Sequence, residues 1–517
     1  MAPQQTFTGT LIEDQGPQYI PEGAKNNLNA TFFKQDFIDD ELTKDRNATA
    51  QLDLTIPFSL NDDISGFIKT GTKYRSKRRS RDKNELFTLA FTINELGAAN
   101  PDKFDLTREG KIKISNFEDP NYSDDNFLGG AYKITPGLDK NLLDNFSREF
   151  ASSYVKNGAM DLEDYSAGEA ITAGYLMTKI NIGPRLTLIP GFRYERTQND
   201  YTSVLGDALL SENGSVSIIG RQDTLGKRAY EEFLPMVNLK VNVTPWFDVR
   251  LAATKSLSRP DYFNLVPWER ISDFEETDEK GNPNLKHTRA WNYDAFFSFY
   301  GNFGLITLGA FYKSLRDIDY IRTSRITEPG RTEGYQLTEP ENSNYETIVR
   351  GAELEIQTNL TFLPSPFDGI VLYANYSIIR SRTYYPLLEV GPRMTVPPFS
   401  FTFIDTVREG RMPEQPDDIA NLSIGYEKGH FSGRISMIYQ GERLQTIGTR
   451  KELDGYTSKF IRWDLAVSYK LLKNIGMFFN VHNLNNLPEK SFLGNQIYPT
   501  REEIFGWTSD LGVYYKF

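Results

Sequence analysis

The sequence predicts an all-β fold, a transmembrane antiparallel up-and-down β-barrel, and three observations carry the prediction. Its strand-like segments sort apolar and charged residues onto opposite faces, its connectors alternate between long and short, and its last strand ends on an aromatic residue.

Composition narrows the alternatives first. The 517 residues suffice for several domains or one large barrel. Mean hydropathy is −0.48, and no run approaches the roughly 18 consecutive apolar residues of a membrane helix, so a helical membrane protein is excluded. A barrel passes this test because lumen-facing polar residues dilute the lipid-facing apolar ones. The 28 Tyr and 35 Phe suit strands and interfacial girdles. With no cysteine there is neither a disulfide nor a thiolate metal site. A net charge of −11 argues against a nucleic-acid partner. The opening residues Met1-Ala2-Pro3-Gln4-Gln5 carry no basic region and no apolar region of a secretory signal peptide. The expectation is therefore a fragment of an envelope protein.

Strands are expected at 5–13, 47–56, 64–75, 168–181, 185–200, 230–243, 247–256, 288–300, 305–321, 345–358, 369–383, 417–427, 431–442, 459–470, 476–485 and 503–517. Four show the period of two most plainly. In Phe247–Ser256, Phe247, Val249, Leu251 and Ala253 oppose Asp248, Arg250 and Thr254. In Ala290–Tyr300, Trp291, Tyr293, Ala295, Phe297 and Phe299 oppose Asn292, Asp294 and Ser298. Asp417–Glu427 sets Ala420, Leu422, Ile424 and Tyr426 against Asn421, Ser423 and Glu427. Ile461–Lys470 sets Ile461, Trp463, Leu465, Val467 and Tyr469 against Arg462, Asp464 and Ser468. A packed sandwich core would not accept those charges, at several kcal/mol each, whereas a water-filled lumen does.

Connectors supply the second observation. Long ones occupy 14–46, 76–167, 201–229, 257–287, 322–344, 384–416, 443–458 and 486–502; short ones occupy 57–63, 182–184, 244–246, 301–304, 359–368, 428–430 and 471–475. Gly183-Pro184, Thr244-Pro245, Gly301-Asn302 and Lys428-Gly429 give the short ones turn chemistry. Periplasmic turns are short and extracellular loops long, which explains the alternation. Two regions result: a poorly defined N-terminal segment 1–46, with one strand and an extracellular loop, and a barrel over 47–517. The interval 76–167 has room for another strand pair including Glu85–Ile93.

The last strand puts Phe505, Trp507, Leu511, Val513, Tyr515 and Phe517 on one face. The run Leu511, Val513, Tyr515, Phe517 resembles the terminal signature read by the barrel-assembly machinery.

Three segments then carry a family likeness. They are Ala252–Pro267 (AATKSLSRPDYFNLVP), Gly281–Tyr300 (GNPNLKHTRAWNYDAFFSFY) followed by Gly309–Lys313 (GAFYK), and Phe479–Pro488 (FNVHNLNNLP) with the Gly512–Phe517 finish (GVYYKF). Together they resemble TonB-dependent outer-membrane receptors, over roughly 47–517. Such receptors have a signal peptide, a box that engages the TonB energy-coupling protein, a globular plug and about 22 strands. Here about sixteen strands are legible and neither plug nor box is, so the expectation is the C-terminal barrel portion alone. On that reading the isolated chain would lack the coupling element, and an open sheet would expose unpaired edges in lipid.

No catalytic motif of the G-x-S-x-G, P-loop or H-E-x-x-H kind is present, so no enzyme activity and no cofactor is expected. His287, His430 and His482 lie far apart, which weighs against a histidine metal site. The basic run Arg75, Lys77, Arg78, Arg79, Arg81 is expected at the extracellular rim, where a guanidinium cluster could hold lipopolysaccharide phosphates; a solvated loop face is the simpler reading. Asp273, Glu275, Glu276, Asp278 and Glu279 lack regular ligand spacing for calcium, and a hydrated loop is favoured. Trp246, Trp463 and Trp507 suit interfacial girdles.

The resemblance implies import of a scarce nutrient such as a ferric siderophore, cobalamin or an oligosaccharide. It implies coupling to the TonB complex through a plug, outer-membrane lipid around the wall, and in some members a surface lipoprotein. Asp248, Arg250, Asn292 and Asp294 would line the passage or meet the plug. Two rivals are a complete passive porin and a soluble secreted glycan-binding or glycan-hydrolysing β-protein. The membrane reading predicts heat-modifiable gel migration and fractionation with the outer membrane. Solubility without detergent would decide for the secreted β-protein.

Overall fold

The computed structural model describes residues 7–12, 16–21, 31–126, 132–134, 137–210, 216–272, 276–390, 403–448 and 450–517. Alternating faces separated by turn residues leave little choice but hairpins, and the chain forms a meander. Its wall consists of β1 (Phe37–Ser59), β2 (Ile64–Phe87), β3 (Tyr165–Ile182), β4 (Leu186–Leu210), β5 (Val216–Thr244), β6 (Phe247–Ser258), β7 (Thr288–Gly301) and β8 (Gly304–Arg316). It continues through β9 (Thr347–Asn359), β10 (Ile370–Val390), β11 (Asp418–Lys428), β12 (Phe431–Gln440), β13 (Phe460–Lys470), β14 (Ile475–His482) and β15 (Thr508–Tyr515). Each strand pairs antiparallel with the next. Val155–Lys156 and Phe403–Gly410 extend β2 and β10, completing a 17-stranded sheet. Among the described residues no pairing joins β1 to β15, so the sheet is not closed.

The turns follow from local chemistry. Between β3 and β4, Gly183 takes φ 55°, a left-handed conformation that costs glycine nothing, and its N–H donates to the Asp63 carbonyl of the neighbouring turn at 2.6 Å.

Sidedness is the central finding. The apolar face points outward: Phe297 is 38% exposed, Leu308 46% and Ile424 45%, whereas Asp248 and Ser298 on the inner face are 3% and 2% exposed. A soluble monomer does not expose an apolar belt of this extent. The apolar faces do not meet in a dry interior; they face lipid.

Several boundaries differ from expectation. The strand expected at 5–13 is Phe7–Ile12, which pairs with Gly16–Pro21 in a separate hairpin rather than joining the wall. The wall begins at Phe37, so 37–46 belongs to it, and among the described residues it contains fifteen long strands rather than sixteen. Among the described residues the interval 76–167 holds no further pair of long wall strands. Glu85–Phe87 ends β2, and Ala90–Ala99 is a helix. With a second helix, Lys140–Glu149, it builds a small module around Phe33, Ile93, Ile112, Phe117 and Phe146. Most other long connectors are structured too. Glu269–Ser272, Thr277–Lys280, Asp319–Arg325 and Gln336–Asn342 form one four-stranded sheet. Arg443–Thr446, Gly455–Thr457, Glu489–Leu493 and Pro499–Glu503 form another.

Leu308→Arg on the outer face of β8 is expected to cost about 2–4 kcal/mol of folding free energy in lipid. Ser423→Arg, on the inner face of β11, is expected to cost far less. Urea titration in lipid vesicles reads both; equal costs would mean that the two faces meet the same solvent.

Candidate functional site

The basic run supplies the site's first wall. Arg75 lies eleven residues beyond Ile64, the start of β2. A tilted strand crosses the hydrocarbon in roughly 9–11 residues, so the run stands at the outer interface. Alternation sends Arg75, Lys77, Arg79 and Arg81 to the face shared with Ile171, Glu169, Ala167 and Tyr165 of β3. Arg78 alone points the other way, 65% exposed at its side chain and 3.4 Å from Asp200. The run lies within β2, and each of its four inward cations meets a carboxylate. Arg75 pairs with Glu169 at 2.6 Å, Lys77 and Arg79 share Asp45 at 3.2 and 3.0 Å, and Arg81 holds Glu41 at 3.0 Å.

The connector after β6 closes the site. Arg259 reaches back to donate to Glu195 at 2.8 Å and to the Thr197 hydroxyl at 2.9 Å. Pro260 fixes the backbone, and Asp261 caps the turn Tyr262–Leu265 by accepting from the Phe263 N–H at 3.0 Å. Leu265, Val266, Trp268 and Leu285 pack on Tyr165, Ala167 and Tyr201, anchoring the connector to β3 and β4. Gly281 is needed for that closeness: a Cβ there would sit 2.0 Å from the Val266 carbonyl oxygen.

Between wall and connector lies a cavity of about 400 Å³. Five cations line it, Arg75, Lys77, Arg79, Arg228 and Arg259, against two carboxylates, Glu169 and Asp261. His287 forms one side, stacked on Tyr230 at 4.1 Å, with Nε2 2.8 Å from Glu232. Lys255 also pairs with Glu232, at 2.8 Å. Burial holds the His287 imidazole below its usual pKa despite the pull of Glu232, and Arg228 and Arg289 push the same way.

The lumen candidates do not gather here. Asp248 and Arg250 come together near the short-turn end of β6, where the buried Asp248 carboxylate meets Lys240 and Arg250 at 3.2 Å and accepts from the Tyr300 hydroxyl at 2.9 Å. Asn292 lies higher on β7 and donates to the Ser256 hydroxyl at 2.9 Å. Asp294 shares its face, opposite Ala252 and Phe311. Leu511, Val513 and Tyr515 are exposed on the last strand, and Phe517 is exposed just beyond its end. Of the acidic stretch, Asp273 and Glu275 lie outside the described residues, Asp278 is buried, and Glu279 pairs with Arg270. Among the described residues no group of three His, Asp or Glu could hold a metal.

Arg228 and Arg259 were absent from the sequence candidates, and His287 was weighed there only as a metal ligand. A signal existed: the segments Ala252–Pro267 and Gly281–Tyr300, conspicuous for their likeness to a family, supply Arg259, Leu285 and His287 to this cavity.

A family model described as TonB dependent receptor-like, beta-barrel matches residues 3–484. Among solved structures the chain is similar to the ferric-catecholate import receptor Fiu of E. coli K12, with 12% identity, 92% of this chain and 55% of that one covered, and a TM-score of 0.55. It is also similar to a double mutant of the Serratia marcescens hemophore receptor HasR in complex with HasA and heme, with 14% identity, 99% and 68% covered, and a TM-score of 0.54. A third is the siderophore receptor PiuA of Acinetobacter baumannii, with 15% identity, 92% and 56% covered, and a TM-score of 0.52. At these identities the likeness is one of fold, and the chain spans little more than half of two of these structures. No curated protein matches the sequence.

His287 gives a prediction with a definite sign. Its folded pKa lies below the ordinary value near ~6.5. As pH falls through that value, the opened state takes up the proton first and stability is lost; above it the contribution is complete. Proteolysis of the 259–287 connector is expected to be faster at pH 5 than at pH 7.5. His287→Gln should flatten that difference, and an unchanged pH response in the variant would remove His287 as its cause.

Proposed function

This chain belongs to the TonB-dependent receptor β-barrel family and resides in the outer membrane, and from that premise we propose that it forms the wall of an energised nutrient receptor. The ligand class is a scarce nutrient such as a ferric siderophore, cobalamin or an oligosaccharide. It meets the long connectors first and passes inward along the charged lumen face, with energy from the TonB complex. Relatives named for ferric-catecholate import, hemophore binding and siderophore reception favour iron among these. The observation that carries the reading is the cavity at the outer mouth, built from wall strands and a connector, where an incoming ligand would first be held. The wall performs no covalent chemistry on this view. Barrel-assembly machinery would recognise the Leu511–Phe517 strand, and a surface lipoprotein and lipopolysaccharide are further partners of the whole receptor.

A passive porin differs in one measurable way, because its flux needs no energy. Deleting the gene is expected to abolish growth on one limiting nutrient from a panel of ferric siderophores, cobalamin and oligosaccharides. A protonophore or loss of TonB should reproduce that defect. Uptake that survives both treatments identifies a porin, and growth unaffected by the deletion on every nutrient removes the receptor reading.

A further inference from the structure

The net charge of −11 makes this chain repel anions on average, yet its outer-mouth cavity has five cations against two carboxylates. We propose that this cavity binds a small polyanion, a carboxylate or phosphate compound with at least two negative charges, and that Arg228 reads it. The proposal rests on the receptor reading and names the ligand chemistry of the same site.

The cations differ in what they have left to give. Arg75 and Arg259 share Glu169, and Arg259 also uses Glu195. Lys77 and Arg79 divide the single carboxylate of Asp45 between them, so that pair is half neutralised. Among the described residues no carboxylate pairs with Arg228. Its guanidinium lies 5.5 Å from the centre of the Tyr230 ring, a contact that holds the group without consuming its N–H fork. A planar fork with free donors is the geometry that takes a carboxylate or phosphate bidentately.

His287 closes one side of the cavity and stacks on the same Tyr230 ring that Arg228 contacts. A neutral oligosaccharide offers hydrogen-bond donors but no charge for Arg228.

The test uses the full chain in detergent micelles and calorimetry with three probes: citrate, pyrophosphate and neutral maltotriose. Citrate or pyrophosphate is expected to bind, and which one does separates a carboxylate from a phosphate ligand. Binding should weaken as salt rises from about 50 to about 500 mM. Arg228→Gln should weaken it at least about tenfold, the equivalent of one charge-assisted hydrogen bond, and Arg228→Lys should recover part of the loss. Heat-modifiable migration checks that each variant folds. Failure of both anions, wild-type binding by Arg228→Gln, or maltotriose binding as tightly as either anion would overturn the proposal. Binding here needs neither TonB nor transport, so its failure leaves the uptake reading standing. Conversely, anion binding without energised uptake would sink that reading alone.

Discussion

Every strand of this wall answers to one constraint: a backbone in hydrocarbon has no water to bond with, so each N–H and C=O must find its partner in a neighbouring strand. The antiparallel pairings from β1 to β15 meet that demand between adjacent strands, and side chains are then free to sort by solvent. Outward they are Leu251, Phe297, Leu308 and Ile424, which would be a liability in water. Inward they include an Asp248 carboxylate held by Lys240, Arg250 and Tyr300, which would be untenable in lipid. Neither face makes sense without the other. The same constraint bears on the sheet's edges. Because pairings alternate direction, β1 and β15 run the same way, and a direct seam between them would be parallel. Antiparallel cover for those two edges requires an odd number of strands between them.

Much of this was legible because lipid imposes a contrast that a sequence can carry. The faces of Phe247–Ser256 and Ala290–Tyr300 sort in the structure as their period of two requires, and Gly183-Pro184 turns where turn chemistry places it. The contrast disappears where the strands leave the membrane. Along 76–83 the outward positions Ser76, Arg78, Ser80 and Asp82 are as polar as the inward Lys77, Arg79, Arg81 and Lys83. A hydrophobic period cannot register there, and the strand reads as loop. The extensions of β4 past 200 and of β5 before 230 lose the period differently: Val204 and Leu205, Leu209 and Leu210, and Ile218 and Ile219 are neighbours in sequence, so apolar residues fall at both parities. At 75 the sequence marks the end of the hydrocarbon rather than the end of the strand.

The candidate site was hidden by a second cause. Arg75, Glu169, Arg228 and Arg259 are separated by tens of residues and meet only because β2, β3, β4 and β5 stand side by side at one height. No local pattern announces such a meeting. The nearest approach to a signal was the pair of family-like segments, and their role proves to be architectural as well as chemical. Asp261 caps a turn, Gly281 permits close packing against Val266, and the Leu265–Leu285 cluster fixes Arg259 over the wall.

Position also decides how strongly such charges act. A guanidinium on an open surface faces bulk water and is screened within about 8–10 Å at physiological salt. In a concavity with low-dielectric walls the same charges focus their field toward the opening. Glu169, 4% exposed at its side chain, and Glu195, 11% exposed, lie against the wall, where they hold Arg75 and Arg259 in place. Arg228 extends from its contact with Tyr230 without a carboxylate of its own. The carboxylates thus order the cations more than they cancel them, and a chain whose overall charge repels anions still presents one cationic opening. That opening lies where the strands have cleared the lipid, the first place along the wall where a charge can serve a ligand instead of being hidden from hydrocarbon.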